Sequence, residues 1–145
     1  MRLNDWGRIV HAEWFRSGQI RREIELDAFT VMPNHIHGIV RSVGADGVRP
    51  AAASDTHTGD DVGARRAPLQ AFIAGFKSAT TRRIRGTSSS RGLAVWQRNY
   101  YEHIVRDEDE LNKIREYIAT NPLRWPQDRE NPAAERDREE DSPWL

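Results

Sequence analysis

The chain has 145 residues, 37% of them hydrophobic, which is enough for one ordinary domain with a buried core. It contains no cysteine, so disulfides and thiolate metal ligands are excluded and any metal must be held by histidine, carboxylate, amide or water. No apolar run approaches the ~20 residues that span a bilayer, and the opening MRLNDWGRIV lacks the basic-then-apolar layout of a signal peptide, so a cytoplasmic protein is expected.

The formal net charge of zero hides a separation along the chain. Residues 1–64 carry 7 basic and 9 acidic side chains, residues 65–106 carry 9 and 1, and residues 107–145 carry 6 and 12. The middle is a basic block. Nucleic acid is the natural partner for such a block, because cations that neutralise phosphates release counterions; a solvated basic face explains the same charges equally well. Arginine outnumbers lysine 20 to 2, a usage typical of GC-rich bacterial genomes.

In chain order, Asn4 or Asp5 is placed to cap a first helix in which Trp6, Val10 and Trp14 recur every four positions, with Ile9 on the same stripe and Gly18 at the end. Ile24 to Met32 reads as a strand, with Ile24, Leu26 and Ala28 on one face and Glu25, Asp27 and Phe29 on the other. Pro33 and Asn34 mark a turn into a second strand, so Val31 to Val40, VMPNHIHGIV, is a hairpin with two histidines at its start. On a strand His35 and His37 share a face, and two imidazoles side by side can hold one divalent ion at about 2.0–2.2 Å. Two partly exposed histidines on a half-buried strand are the alternative that spacing alone leaves open.

Residues from Ser42 to Pro68 are rich in Gly, Ala, Asp and Ser without apolar periodicity, which predicts a long mobile loop over about 43–67. Leu69, Phe72, Ile73, Phe76 and Ile84 then mark one face of a helix, with Lys77, Arg82, Arg83 and Arg85 on and after its last turns. Leu93 to Val105, LAVWQRNYYEHIV, is aromatic and β-branched and reads as a strand interrupted near Arg98 and Asn99. Asp107 caps a last helix opening on acidic residues, with Leu111, Ile114 and Ile118 as its buried stripe and Pro122 as its stop. Residues 126–145 form an acidic tail expected to be weakly ordered.

Tyr117 borders the stripe of the last helix, and Asn121 follows one turn later on the same face. Periodicity alone makes Tyr117 a core aromatic. Laid over the histidine face, the same helix would set a phenol and an amide oxygen beside a bound ion. That combination suits phosphodiester cleavage, in which an ion stabilises charge at phosphorus and a tyrosine attacks to form a covalent ester.

Three stretches together, VMPNHIHGIV, LQAFIAGFKSATTRRI and VWQRNYYEHIVRDEDELNKIREYIATNPLRW, resemble the REP-associated tyrosine transposases, a family of HUH single-strand DNA nucleases with one catalytic tyrosine. The resemblance covers most of residues 1–125. It implies a ferredoxin-like α+β fold, an antiparallel sheet with helices packed on one face, in which His35, His37 and Asn121 bind Mg²⁺ or Mn²⁺ and Tyr117 is the nucleophile. It further implies a monomer or homodimer that cleaves and rejoins single-stranded DNA or a DNA hairpin through a 5′-phosphotyrosine. Lys77, Arg82, Arg83, Arg98 and Arg106 are the expected DNA contacts, and Tyr100 and Tyr101 are either strand residues or stacking platforms for unpaired bases. Members carry a further strand, of the kind Tyr-Phe-Val-Thr, ahead of the segment matching RLNDWG, so a sheet lacking that strand is expected here. A DNA-hairpin-binding module without cleavage is the alternative. A histidine-triad phosphohydrolase is disfavoured, because its third alternating histidine is replaced by Ile39.

Overall fold

The computed structural model describes residues 2–43, 60–87 and 92–134, and of residues 60–66 the backbone only. The protein is α+β. Its elements run α1 (Asp5–Ile20), β1 (Ile24–Val31), β2 (Ile36–Ser42), α2 (Asp60–Thr87) and α3 (Glu108–Arg124), with a short 3₁₀ turn at Trp125–Gln127. Asn4 caps α1, its side chain accepting from the Gly7 amide at 2.8 Å, and Asp107 caps α3 by accepting from Glu110 N at 2.8 Å. Both caps occupy amide donors that the helix itself leaves unpaired.

β1 and β2 form an antiparallel hairpin whose turn is closed by Met32 N donating to His35 O at 2.8 Å. The register runs Leu26 opposite Val40 and then Phe29 opposite Gly38, so β1 carries one residue more than β2 at Asp27 and Ala28. Such a bulge flips the alternation of the strand. Phe29 therefore joins Ile24, Leu26 and Val31 on the face paired with Ile36, Gly38 and Val40, where regular alternation placed it on the opposite side.

That face meets α1 and α2. Trp14 stacks on Phe29 with ring centroids 4.3 Å apart and presents its edge to Phe72 and Phe76 at 5.1 and 5.3 Å. Val10, Ile24, Val31 and Ile84 complete the buried cluster, with Trp6 and Ile9 packed against it. The helices expected on one face of the sheet are thus α1 and α2; α3 lies against the other face, touching Asp27 and His37.

Four elements depart from expectation. Gly18 does not end α1, which continues to Ile20; it lies against Leu26, where a Cβ would collide. The expected loop over 43–67 is helical from Asp60, with Pro68 inside α2, and its residues 44–59 lie outside the described part. Pro122 does not stop α3, which runs two residues past it to Arg124 before the 3₁₀ turn takes over. The predicted strand Leu93–Val105 is irregular, because β-propensity makes a strand only where a ladder partner exists. It is fastened to α2 by side chains instead: Trp96 Nε1 donates to Thr80 Oγ1 at 2.9 Å, and Lys77 Nζ to Gln97 O at 3.0 Å.

The expected tail is ordered over its first part. Residues 125–134 fold into successive turns, with Asp128 N donating to Trp125 O, Asn131 N to Asp128 O and Ala134 N to Asn131 O at 3.0–3.1 Å. Asn131 Nδ2 adds a bond to Trp125 O at 2.9 Å, which ties this strap back to the end of α3.

Candidate metal and nucleophile site

The hairpin sets His35 at the mouth of β2 and His37 opposite Thr30, on the face away from the aromatic core. Their Nε2 atoms are 3.0 Å apart and their rings are nearly perpendicular at 82°. Two nitrogens at about 2.1 Å from one ion stand about 3.0 Å apart at right angles and about 3.4 Å apart at the tetrahedral angle. The 3.0 Å separation is that of a hydrogen bond between the rings, and it is also short enough for both nitrogens to reach one divalent ion.

α3 roofs this face. It is fastened there in part by Arg115, whose Nε and Nη2 donate to Asp27 Oδ1 and Oδ2 at 3.0 and 2.6 Å in a forked pair with the bulged part of β1. Two residues further on, Tyr117 sets its ring edge-on to His37 at 5.4 Å. One more turn brings Asn121, only 2% exposed, with its Nδ2 lacking a hydrogen-bond partner. The two imidazoles fit a divalent ion as a pair of ligands with water completing the shell, and Asn121 lies on the covering helix one turn beyond Tyr117. Among the described residues no group of three or more His, Cys, Asp or Glu side chains gathers as a metal cluster.

Burial sets the protonation of these groups. It lowers the pKa of His37 to about 4, helped by the neighbouring His35 and opposed by Asp128. His35 is lowered in the same way, against the negative Asp128 and Glu130. Both rings are then neutral near pH 7. Burial raises the Tyr117 phenol above its usual value, Asp128 adds to the rise, and the Asn121 amide works in the opposite direction.

The third wall is the strap. Trp125 stands 6.1 Å from the His35 ring, and Asn34 Nδ2 donates to Glu130 O at 2.7 Å. Sequence reasoning missed this wall and the Arg115–Asp27 pair, since neither leaves a local pattern. Asn34 was legible only as a turn residue.

The expected DNA contacts are dispersed. Arg83 Nη1 donates to the buried Glu13 at 2.5 Å, so it joins α2 to α1. Lys77 holds Gln97 O and lies 5.6 Å from the Tyr100 ring. Lys77, Arg82 and Arg85 line an open groove of about 690 Å³ with Ala94, Val95 and Trp96. Arg98 is exposed in the irregular segment, and the backbone N of Arg106 donates to Glu110 Oε2 at 2.9 Å. No hydrogen bond or ring contact links these residues to the histidines among the described residues. Tyr101 is 77% exposed and Tyr100 42%, so neither packs as a sheet residue.

Fold and site together define an α+β protein whose histidine hairpin is covered by a tyrosine-bearing helix. An uncharacterized protein of Haemophilus influenzae is 35% identical over 136 residues, spanning 88% of this chain and 71% of its own length, and the chain belongs to the same family as that protein. No family model matches the chain, and no solved structure matches it. No helix among the described residues is long and apolar enough to cross a membrane.

Proposed function

We propose that the protein is a divalent-metal-dependent nuclease and strand transferase of transposase type, acting on single-stranded DNA with Tyr117 as nucleophile. The observation that carries this reading is the meeting of His35, His37 and Tyr117 on one face of the hairpin, with rings 4.7 and 5.4 Å apart. His35 and His37, with Asn121, would hold Mg²⁺ or Mn²⁺, which when bound draws charge from a phosphate oxygen.

The Tyr117 oxygen forms a bond to phosphorus and gives up its proton to solvent. The P–O3′ bond breaks, and the departing oxygen takes a proton to become a free 3′-hydroxyl. The 5′ side stays attached as a phosphotyrosine, from which another 3′-hydroxyl regenerates a DNA strand and free Tyr117. With its pKa raised, the phenol is protonated near pH 7, so removal of its proton is part of the barrier.

The test uses a labelled single-stranded oligonucleotide carrying a hairpin. Wild-type protein with Mn²⁺ is expected to yield a covalent adduct that Tyr117→Phe abolishes and Tyr100→Phe and Tyr101→Phe retain. His35→Ala and His37→Ala should lose cleavage with binding changed only a few-fold, since phosphate contacts come from elsewhere. An adduct mapped to Tyr100 or Tyr101, or undiminished nicking by a histidine variant in chelator, would overturn the assignment. Hairpin binding with no nicking by the wild type would leave a DNA-binding module.

A further inference from the structure

Asn34 lies between two partners whose chemistry fixes its own. The Glu130 carbonyl oxygen can only accept, so the end of the Asn34 amide 2.7 Å from it is the NH₂ group. The other end is then the oxygen, and it stands 2.7 Å from His35 Nδ1. An amide oxygen cannot donate, so His35 must carry its hydrogen on Nδ1. A neutral imidazole with its hydrogen there has a bare lone pair on Nε2, the atom that faces His37 Nε2 at 3.0 Å. That contact in turn needs a hydrogen on His37 Nε2. The two histidines thus hold opposite tautomers, decided by a carbonyl 96 residues along the chain from Asn34.

We propose that Asn34 is the positioning residue of the histidine pair: gripped by the Glu130 carbonyl, its amide oxygen holds the proton of His35 on Nδ1 and keeps Nε2 unprotonated, so that a divalent ion can take the lone pair in place of the His37 N–H. The proposal rests on the metal-site reading above. A ligating histidine commonly gives its second N–H to an acceptor of this kind, which fixes both tautomer and ring orientation. The acceptor is supplied here by the adjacent residue and steadied by the strap, where Asn131 and the turns around Asp128 hold Glu130 in place. Before the ion binds, His35 is already the competent ligand, whereas His37 must move its hydrogen from Nε2 to Nδ1.

The experiment is ¹⁵N NMR of the imidazoles in metal-free protein at neutral pH, paired with Mn²⁺ binding by calorimetry. In the wild type, His35 should show its hydrogen on Nδ1 and His37 on Nε2. Asn34→Ala should turn His35 into a mixture of tautomers and weaken Mn²⁺ binding by about 10–100-fold, the usual effect of losing such a partner. Asn34→Asp keeps an acceptor oxygen for Nδ1 but has no hydrogen to give the Glu130 carbonyl, so it should favour the same tautomer less completely than the wild type and more than Asn34→Ala. A wild-type His35 with its hydrogen on Nε2, or an unchanged tautomer in Asn34→Ala, would each overturn the proposal. Tautomers as stated, responsive to Asn34, in a protein that takes up no Mn²⁺ would support the clamp and overturn the metal-site reading.

Discussion

At Gly38 a methyl group would meet Trp14 Cζ2 at 2.5 Å and Phe29 Cδ2 at 3.2 Å, so the close stacking of those two rings depends on a residue with no side chain. Trp14 is 2% exposed and boxed in by Phe72 and Phe76, which leaves it no room to yield. Gly38→Ala should therefore cost about 1–3 kcal/mol by urea unfolding, the usual range for overpacking, and should also slow cleavage because His37 is the preceding residue. A variant of unchanged stability would show that the stack has slack. His37 itself makes stability depend on pH. Its folded pKa is depressed to about 4 from 6.5, so between those values the unfolded chain binds the proton and the folded one does not. The contribution is fully present above about pH 6.5 and is lost as pH falls through about 4, on the order of 3 kcal/mol for a shift of this size. In metal-free protein, His37→Gln should flatten that part of the stability profile.

Among the elements, α3 is held over the histidines by the Arg115–Asp27 ion pair together with its buried Ile118 and Asn121. The Arg115 hydrogen bond is the main reason the Asp27 carboxyl lies below its usual pKa, with burial opposing it and the Ala28 amide assisting. Arg115→Met should release the middle of α3, seen as faster hydrogen exchange there, and slow cleavage by up to about 100-fold through misplacement of Tyr117, with DNA binding little changed. Equal protection in both proteins would mean that apolar contacts alone dock the helix. What the sequence made legible is bounded by the reach of local rules. The i, i+2 rule of strands and the i, i+4 rule of helices act within one element, which is why His35 with His37 and Tyr117 with Asn121 could be paired in advance. The forked pair joins residues 88 apart and the Asn34 bond residues 96 apart, so no window of sequence contains them. Leu93–Val105 fails for the complementary reason: its composition suits a strand, but a ladder is made by a neighbour. The bulge at Asp27 and Ala28 escaped because one extra residue shifts the period without changing composition.

Among the described residues the sheet has two strands and is marginal by itself, so stability rests heavily on the aromatic cluster that both helices share with it. Trp14→Ala removes the ring shared by both helices and the hairpin and should cost about 3–5 kcal/mol, a large part of the 5–15 kcal/mol a domain commands, so a strongly lowered melting temperature is expected. Charge is arranged differently from the core. Of the basic block, Arg83 is committed to Glu13, while Arg82 and Arg85 face the open groove. Arg82→Ala and Arg85→Ala should each lower the slope of log affinity against log salt for single-stranded DNA by about 0.7, whereas Arg83→Ala should act mainly on stability. Equal slopes in all three variants would place the DNA away from the groove.

The bond between Asn34 and the Glu130 carbonyl has a consequence during synthesis. Its partners are 96 residues apart, and at about 5–20 residues per second the ribosome needs roughly 5–20 seconds to supply the second after the first. Through that interval the hairpin, once out of the exit tunnel, carries both histidines with neither the strap nor the tyrosine helix in place. The enclosed histidine face therefore forms only when the last quarter of the chain has been made.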